Sequence, residues 1–147
     1  MSADATDDKF HNLLVEDNPG DVRLMKEALR TNPVNHQLHV VTDGEQAVRF
    51  LQRRAPYESA VRPDLIFLDL NLPKKDGREV LADVKADREL RRIPIVVLTT
   101  SEAERDVQNA YNLHANCYVC KPADLDEYMH VIRACEVFWS QVVVLSK

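Results

Sequence analysis

Five positions in this chain carry side chains able to handle a metal ion and a phosphoryl group. Asp69 ends the apolar run Ile66-Phe67-Leu68. Glu16 and Asp17 follow Leu13-Leu14-Val15, Thr99 follows Ile95-Val96-Val97-Leu98, and Lys121 follows Cys117-Tyr118-Val119-Cys120. In a parallel sheet the carboxyl ends of all strands lie on one edge, so three acids, a hydroxyl and an amine would meet there. Three carboxylates packed together repel, and at least one pKa should rise; a hard cation relieves that conflict. Mg²⁺ takes oxygen ligands and favours one or two carboxylates plus a phosphate oxygen. Asp69, on the most buried-looking strand, is the expected acceptor, because a carboxylate can act as a nucleophile and form an aspartyl phosphate. Lys121 would pair with the phosphoryl oxygens and Thr99 would donate a hydrogen bond to them.

The elements that must hold these groups alternate along the chain. Short apolar runs are separated by amphipathic stretches, which predicts βα units and a parallel sheet. Strands are expected at about Asn12 to Val15, Leu38 to Val41, Leu65 to Leu68, Ile95 to Leu98 and Cys117 to Cys120. Asn18 is the expected N-cap of the first helix with Pro19 at its first position, and Val22, Met25 and Leu29 share one face. Asp43-Gly44 opens the second helix, with Ala47, Phe50 and Leu51. Val80, Leu81 and Val84 mark the third. Ser101 and Glu104 form a capping box for a fourth. Leu125, Tyr128, Met129, Ile132, Cys135 and Trp139 fall on one stripe of the last. Ligands of such sheets bind beyond the strand carboxyl ends.

Composition bounds the rest. The chain has 147 residues, 45% hydrophobic and 29% charged, with a formal net charge of −5. That is one ordinary domain with room for a core. The single basic cluster, Arg88 with Arg91 and Arg92, is interrupted by acids and reads as a solvated helix end, so no nucleic-acid partner is expected. The acidic N-terminus is no signal peptide, and no apolar run could span a bilayer. The cytoplasm is the expected location, and three cysteines agree with it. Residues 1–9 read as a flexible acidic tail, 10–139 as the domain and 140–147 as an apolar extension.

Taken together, Glu16-Asp17, Asp69, Thr99 and Lys121-Pro122 resemble the motif set of receiver domains in two-component response regulators. Their order and spacing match from about Leu13 to Trp139. The resemblance implies a doubly wound α/β fold of the flavodoxin-like (βα)5 type, a parallel five-stranded sheet in the order 2-1-3-4-5. It implies Mg²⁺-dependent phosphoryl transfer from a sensor histidine kinase to Asp69, with Mn²⁺ as a possible substitute. Asp17 would bind the metal directly, Glu16 would sit nearby, and Asn71 would offer its backbone carbonyl. Thr99 and Tyr118 would form the switch pair. A cis bond is implied between Lys121 and Pro122. Thr100 departs from the family's small residue at that position, and its branched side chain beside the acceptor predicts slow autodephosphorylation. Leu72 to Leu81, Leu98-Thr99-Thr100-Ser101 and Phe138-Trp139 further resemble the stand-alone regulators that partner bacterial, cyanobacterial-type phytochromes.

Other readings are weaker. A haloacid-dehalogenase-type phosphatase also uses a strand-end Asp, but it needs a second Asp two residues on, where this chain has Asn71. A pseudo-receiver normally lacks one of the acids or the Lys. A phosphate sink remains an alternative role for the same site. Cys117 and Cys120, three apart on a strand, should point to opposite faces, and so should His36 and His39. No external substrate is expected to be turned over; the chain would catalyse only its own phosphorylation and dephosphorylation. The stretch after Lys121 accommodates a last helix and tail, so output is expected through protein contact, dimerisation or phosphotransfer. Burial of Val142, Val143, Val144 and Leu145 would contribute at most roughly 6–12 kcal/mol, against about 4–15 kcal/mol lost on association. Two tails related by a twofold axis would suffice. A homodimer through Phe138, Trp139 and this tail is therefore expected.

Overall fold

A computed structural model describes residues 8–100, 107–108 and 111–145. Five parallel strands, β1 (Phe10–Val15), β2 (His36–Val41), β3 (Leu65–Leu68), β4 (Ile95–Thr99) and β5 (Cys117–Cys120), form one sheet in the order β2-β1-β3-β4-β5. The helices with described ends are α1 (Pro19–Arg30), α2 (Gly44–Gln52), α3 (Gly77–Ala86) and α4 (Leu125–Val137). Val107, Gln108, Tyr111 and Asn112 are also helical, whereas the expected Ser101–Glu104 capping box lies outside the described residues.

Strand alternation divides the core into two layers. Leu13, Val15, Ile66, Leu68, Ile95 and Val97 face α2 and α3, where they meet Phe50, Leu51, Val80, Leu81 and Val84. Leu14, Leu65, Phe67, Val96 and Leu98 face α1 and α4, where they meet Met25, Ala28, Leu29, Tyr128 and Ile132. All four residues of β3 are buried, as expected for a central strand covered on both sides.

Local signals set the helix starts. The Asn18 side chain accepts from the amides of Gly20 and Asp21, and Pro19 occupies the first turn. Asp43, Asp76 and Asp124 cap α2, α3 and α4 in the same way. These caps satisfy helix-end amides that have no internal partner.

Several expectations shift. β1 and β2 both begin two residues earlier than expected, because Phe10 pairs with His36 and His11 with Gln37; polar side chains hid these pairings. Leu125 is 57% exposed rather than on the buried stripe. It is the first residue of α4, and a helical side chain there leans back beyond the helix start. The Lys121–Pro122 bond is not cis: among the described residues the cis peptide is Ala55–Pro56. The trans form is favoured for most X–Pro bonds. Beyond α4 the chain continues as a π-helical turn, Phe138–Val142. Trp139 packs on the α1/α4 core layer, and Val143 and Leu145 are half-covered. Val142 and Val144 face outward, 66% and 99% exposed.

Candidate functional site

Register brings the strand-end groups together. Val15 pairs with Val41 and Leu68, Leu68 with Val97, and Thr99 with Cys120. One residue past these ends, the ladder continues through single amides. Glu16 N–H donates to Val41 O at 3.0 Å, Asp69 N–H to Val15 O at 3.1 Å, and Lys121 N–H to Thr99 O at 2.8 Å. Glu16, Asp69 and Lys121 are thus each placed by a sheet bond on their own backbone.

The three acids converge. One carboxylate oxygen each from Glu16, Asp17 and Asp69 lies within 4.8 Å of the others, with Glu16 and Asp69 buried and Asp17 exposed. Lys121 Nζ stands over them, donating to Glu16 Oε1 at 2.5 Å and to Asp21 Oδ2 at 2.8 Å, and lying 3.5 Å from Asp69 Oδ2. Burial, reinforced by the Asp69 charge, pushes the Glu16 carboxyl up to about 7 against the opposing pull of Lys121. Burial also works against the Lys121 charge, but its bonds to Asp21 and Glu16 outweigh it and raise the amine. The cluster is acid-rich and all-oxygen, the donor set that suits Mg²⁺ or Mn²⁺.

The loop after β3 completes the rim. Asn71 N–H donates to Asp69 Oδ1 at 3.2 Å, and Asn71 Nδ2 donates to Thr99 Oγ1 at 3.4 Å. Gly77 lets the start of α3 press against this loop. A Cβ there would sit 2.6 Å from Leu70 Cα and closer still to the Asp69 carbonyl, and the Gly77 amide already bonds to Leu70 O at 3.0 Å. Tyr118 lies on the α2/α3 face of β5, half-buried against that core layer, with its amide donating to Tyr111 Oη at 3.2 Å. Thr100, beside Thr99, is exposed.

Glu16, Asp17, Asp69, Asn71, Thr99 and Lys121 therefore share one strand-end rim. Asp21 was not foreseen as a member. It sits in the first turn of α1, where an acid is ordinary for a helix start, and only the three-dimensional register reveals Lys121 above it. A second polar cluster was also missed, at the opposite end of the sheet. Glu136, fully buried on α4, accepts from Asn12 Nδ2 at 2.6 Å and Asn32 Nδ2 at 2.7 Å. The signal was an acid four residues beyond Ile132 on the buried stripe of α4. His36 and His39 diverge as expected, His36 toward Glu136 at 3.5 Å and His39 onto His11. Phe138 and Trp139 meet edge to face at 5.3 Å.

Comparison with known proteins places this rim in context. The family model described as response regulator receiver domain matches residues 13–133. Response regulator Rcp1 of Synechocystis sp. (strain ATCC 27184 / PCC 6803 / Kazusa) is 50% identical over 133 residues, covering 90% of each chain. The crystal structure of its Mn²⁺-bound form superposes with a TM-score of 0.89 at 49% identity, over 93% of this chain and 99% of that one. The phosphorylated cyanobacterial phytochrome response regulator RcpA gives a TM-score of 0.91 at 47% identity, over 95% of this chain and 99% of that one. Among the described residues, no helix is long and apolar enough to cross a membrane. With its 2-1-3-4-5 sheet and this match, the chain belongs to the response regulator receiver domain family of two-component signalling and is closely related to phytochrome response regulators.

Proposed function

We propose that this chain is a phosphorylation-switched response regulator that accepts a phosphoryl group on Asp69 from a sensor histidine kinase of the phytochrome class. The observation that carries the reading is the joint placement of three acids within 4.8 Å of one another and an amine 3.5 Å from Asp69. The names of the two relatives, a regulator solved with Mn²⁺ and a phosphorylated phytochrome regulator, support the metal and the kinase class.

In this reading an Asp69 carboxylate oxygen attacks the phosphorus of a phosphohistidine, and the imidazole leaves with the bonding electrons. Held by Asp17, Asp69 and the Asn71 backbone carbonyl, with Glu16 alongside, Mg²⁺ or Mn²⁺ would neutralise charge on the transferred group. Lys121 turns from Glu16 and Asp21 to pair with a phosphoryl oxygen, and Thr99 donates its hydroxyl to another. The new group adds about −1.5 to −2 of charge. Thr99 and Tyr118 pass that change to the face made by β5 and α4. Output follows by protein contact, by phosphotransfer, or by a homodimer built on Phe138, Trp139 and the Val142-Val143-Val144-Leu145 tail. The net charge of −5 argues against nucleic acid as the partner. The cytoplasm is the compartment that fits this partnership. Residues 10–139 would act as the receiver unit, with 1–9 and 140–147 as its extensions.

The test is labelling by acetyl phosphate with and without Mg²⁺, comparing wild type with Asp69→Asn. The expected result is acid-stable, base-labile label on wild type with Mg²⁺ only. Label that survives the substitution would falsify the acceptor assignment.

A further inference from the structure

Two glycines grip the loop between β3 and α3. Gly77, at the start of α3, closes on the Asp69 carbonyl and Leu70. Gly44, the buried first residue of α2, closes on Lys75. A Cβ on Gly44 would sit 2.6 Å from Lys75 Cβ, 2.7 Å from the Lys75 carbonyl carbon and closer still to its oxygen. Gly44 has no positive φ, so the fold uses its small size and not its conformational freedom. Lys74, by contrast, lies in the left-handed region at φ 64°, which is uncommon for a residue with a side chain. That turn comes immediately before Lys75 and brings its backbone onto Gly44. Side chains fasten the same seat. Lys74 Nζ lies 3.9 Å from Asp43 Oδ2, and Lys75 Nζ lies 2.6 Å from Asp83 Oδ2 on α3. Asp43 is itself buried and caps α2 by accepting from the Gln46 amide at 2.8 Å.

Resting on the cation site proposed above for Asp17, Asp69 and the Asn71 carbonyl, we propose that Gly44 is a positioning residue for that site, acting through the Lys75 backbone. The route is short. Asn71, in the same loop, donates its amide to Asp69 Oδ1 at 3.2 Å and its side chain to Thr99 Oγ1 at 3.4 Å. Carbon atoms pack at about 3.5–4.0 Å, so a methyl on Gly44 would have to drive Lys75 back by about 1 Å. Gly77 leaves no room at the α3 end, because it is already packed on Leu70 with its amide bonded to Leu70 O at 3.0 Å. The displacement therefore falls on residues 71–75, and with them on the Asn71 carbonyl. Glu16, Asp17 and Asp69 stay where β1 and β3 put them. Groups that orient the ligands of a metal typically account for about 10–100-fold in its affinity.

The experiment titrates the whole chain with Mn²⁺ alone, follows free Mn²⁺ by electron paramagnetic resonance, and records the backbone amide resonances of the metal-free protein by NMR. Gly44→Ala should weaken Mn²⁺ binding about tenfold or more. It should shift the Asn71 amide and leave the β1 and β3 amides in place. Glu45→Ala, exposed beside it on α2, should bind as wild type does. Lys74→Val and Lys74→Gly test the same seat from the loop side, and they carry the test should Gly44→Ala misfold. A β-branched residue resists positive φ and glycine accepts it. Lys74→Val should therefore weaken binding several-fold, and Lys74→Gly should stay within about twofold of wild type.

Equal Mn²⁺ affinity in Gly44→Ala and wild type would overturn the role of Gly44 and leave the cation site standing. An unmoved Asn71 amide, or a Lys74→Gly protein as weak as Lys74→Val, would do the same. Wild type that binds no Mn²⁺ would overturn the cation site itself, and the role of Gly44 with it.

Discussion

Lys121 Nζ stands 3.5 Å from Asp69 Oδ2, farther than its 2.5 Å and 2.8 Å contacts with Glu16 and Asp21. The amine is parked on two acids that flank Asp69, the proposed acceptor, from which a small side-chain rotation would bring it to an incoming phosphoryl oxygen. Its side chain is 8% exposed, so its charge acts through little solvent. Lys121→Met should slow phosphorylation by acetyl phosphate about 100-fold or more, the scale for losing one preorganised charge-stabilising donor. Lys121→Arg should not restore the rate, because a planar guanidinium cannot replace a compact ammonium among three acids. Rates of label incorporation check both; a Lys121→Met rate within a few-fold of wild type refutes this role.

Glu136 is a buried acid with two amide donors aimed at it and no access to water. Asn12 belongs to β1, Asn32 follows α1, and Glu136 sits on α4, so one carboxylate ties three separated segments. Glu136→Ala leaves Asn12 Nδ2 without its acceptor and Asn32 Nδ2 with the Arg133 carbonyl alone, and the expected loss is about 2–3 kcal/mol of folding free energy. Glu136→Gln keeps one acceptor oxygen and should lose less. Urea unfolding of the three proteins tests this, and equal stability of Glu136→Ala and wild type would refute it.

Much of this was readable in advance, and the residues show why. Strand ends 16, 69, 99 and 121 are each preceded by an apolar run, and a parallel sheet has only one carboxyl edge to offer them. Asn18-Pro19 and Asp43-Gly44 announce their helices through local capping chemistry. What could not be read depends on contacts between distant segments. Asp21 becomes part of the rim only because Lys121 returns above α1, 100 residues later. The Asn12–Glu136 bond spans 124 residues. Gly77 reads as the end of a loop until the start of α3 is packed against the Asp69 carbonyl and Leu70. The tail was read as one apolar unit, yet Val143 and Leu145 are half-covered while Val142 and Val144 point out.

His39 gives the domain a pH-sensitive joint. Its ring stacks on His11 at 5.3 Å, with His11 Nδ1 and His39 Nε2 3.1 Å apart, and Phe50 tilts against it at 5.5 Å. Burial, and next the neighbouring His11 charge, lower the His39 imidazole below its ordinary value of 6.5. The unfolded chain therefore takes up this proton first as pH falls, and stability declines once pH drops below about 6.5. The decline levels off below the folded-state value and is absent at higher pH. His39→Phe should flatten the wild-type loss between about pH 7 and pH 5. Urea midpoints across that range are the measurement, and parallel curves for the two proteins would refute the assignment.

Thr100 follows Thr99 at the exposed lip of the site. On an Asp69 phosphorylated as proposed, a β-branched side chain at this position would restrict the approach of water. Thr100→Ala should shorten the phosphoryl lifetime by a few-fold without changing the rate of label incorporation. A chase after removal of acetyl phosphate measures it; an unchanged decay rate counts against the idea.

The tail is the proposed dimer surface. Gln141 Nε2 donates to Pro33 O at 3.4 Å, which holds the segment back on its own domain, and Val143 N–H closes the π-helical turn on Phe138 O at 3.2 Å. Phe138, Val142 and Val144 are left exposed on its outer side. Three such side chains on one copy could offset only part of the roughly 4–15 kcal/mol lost on association. A twofold axis doubles the apolar area and makes the same patch its own partner. The full chain should therefore sediment as a dimer and a chain ending at Trp139 as a monomer. Val142→Asp with Val144→Asp should act like the truncation while leaving the Gln141 and Val143 anchors in place. A dimer that survives both changes would place the interface elsewhere, and a full chain that stays monomeric at all concentrations would remove it.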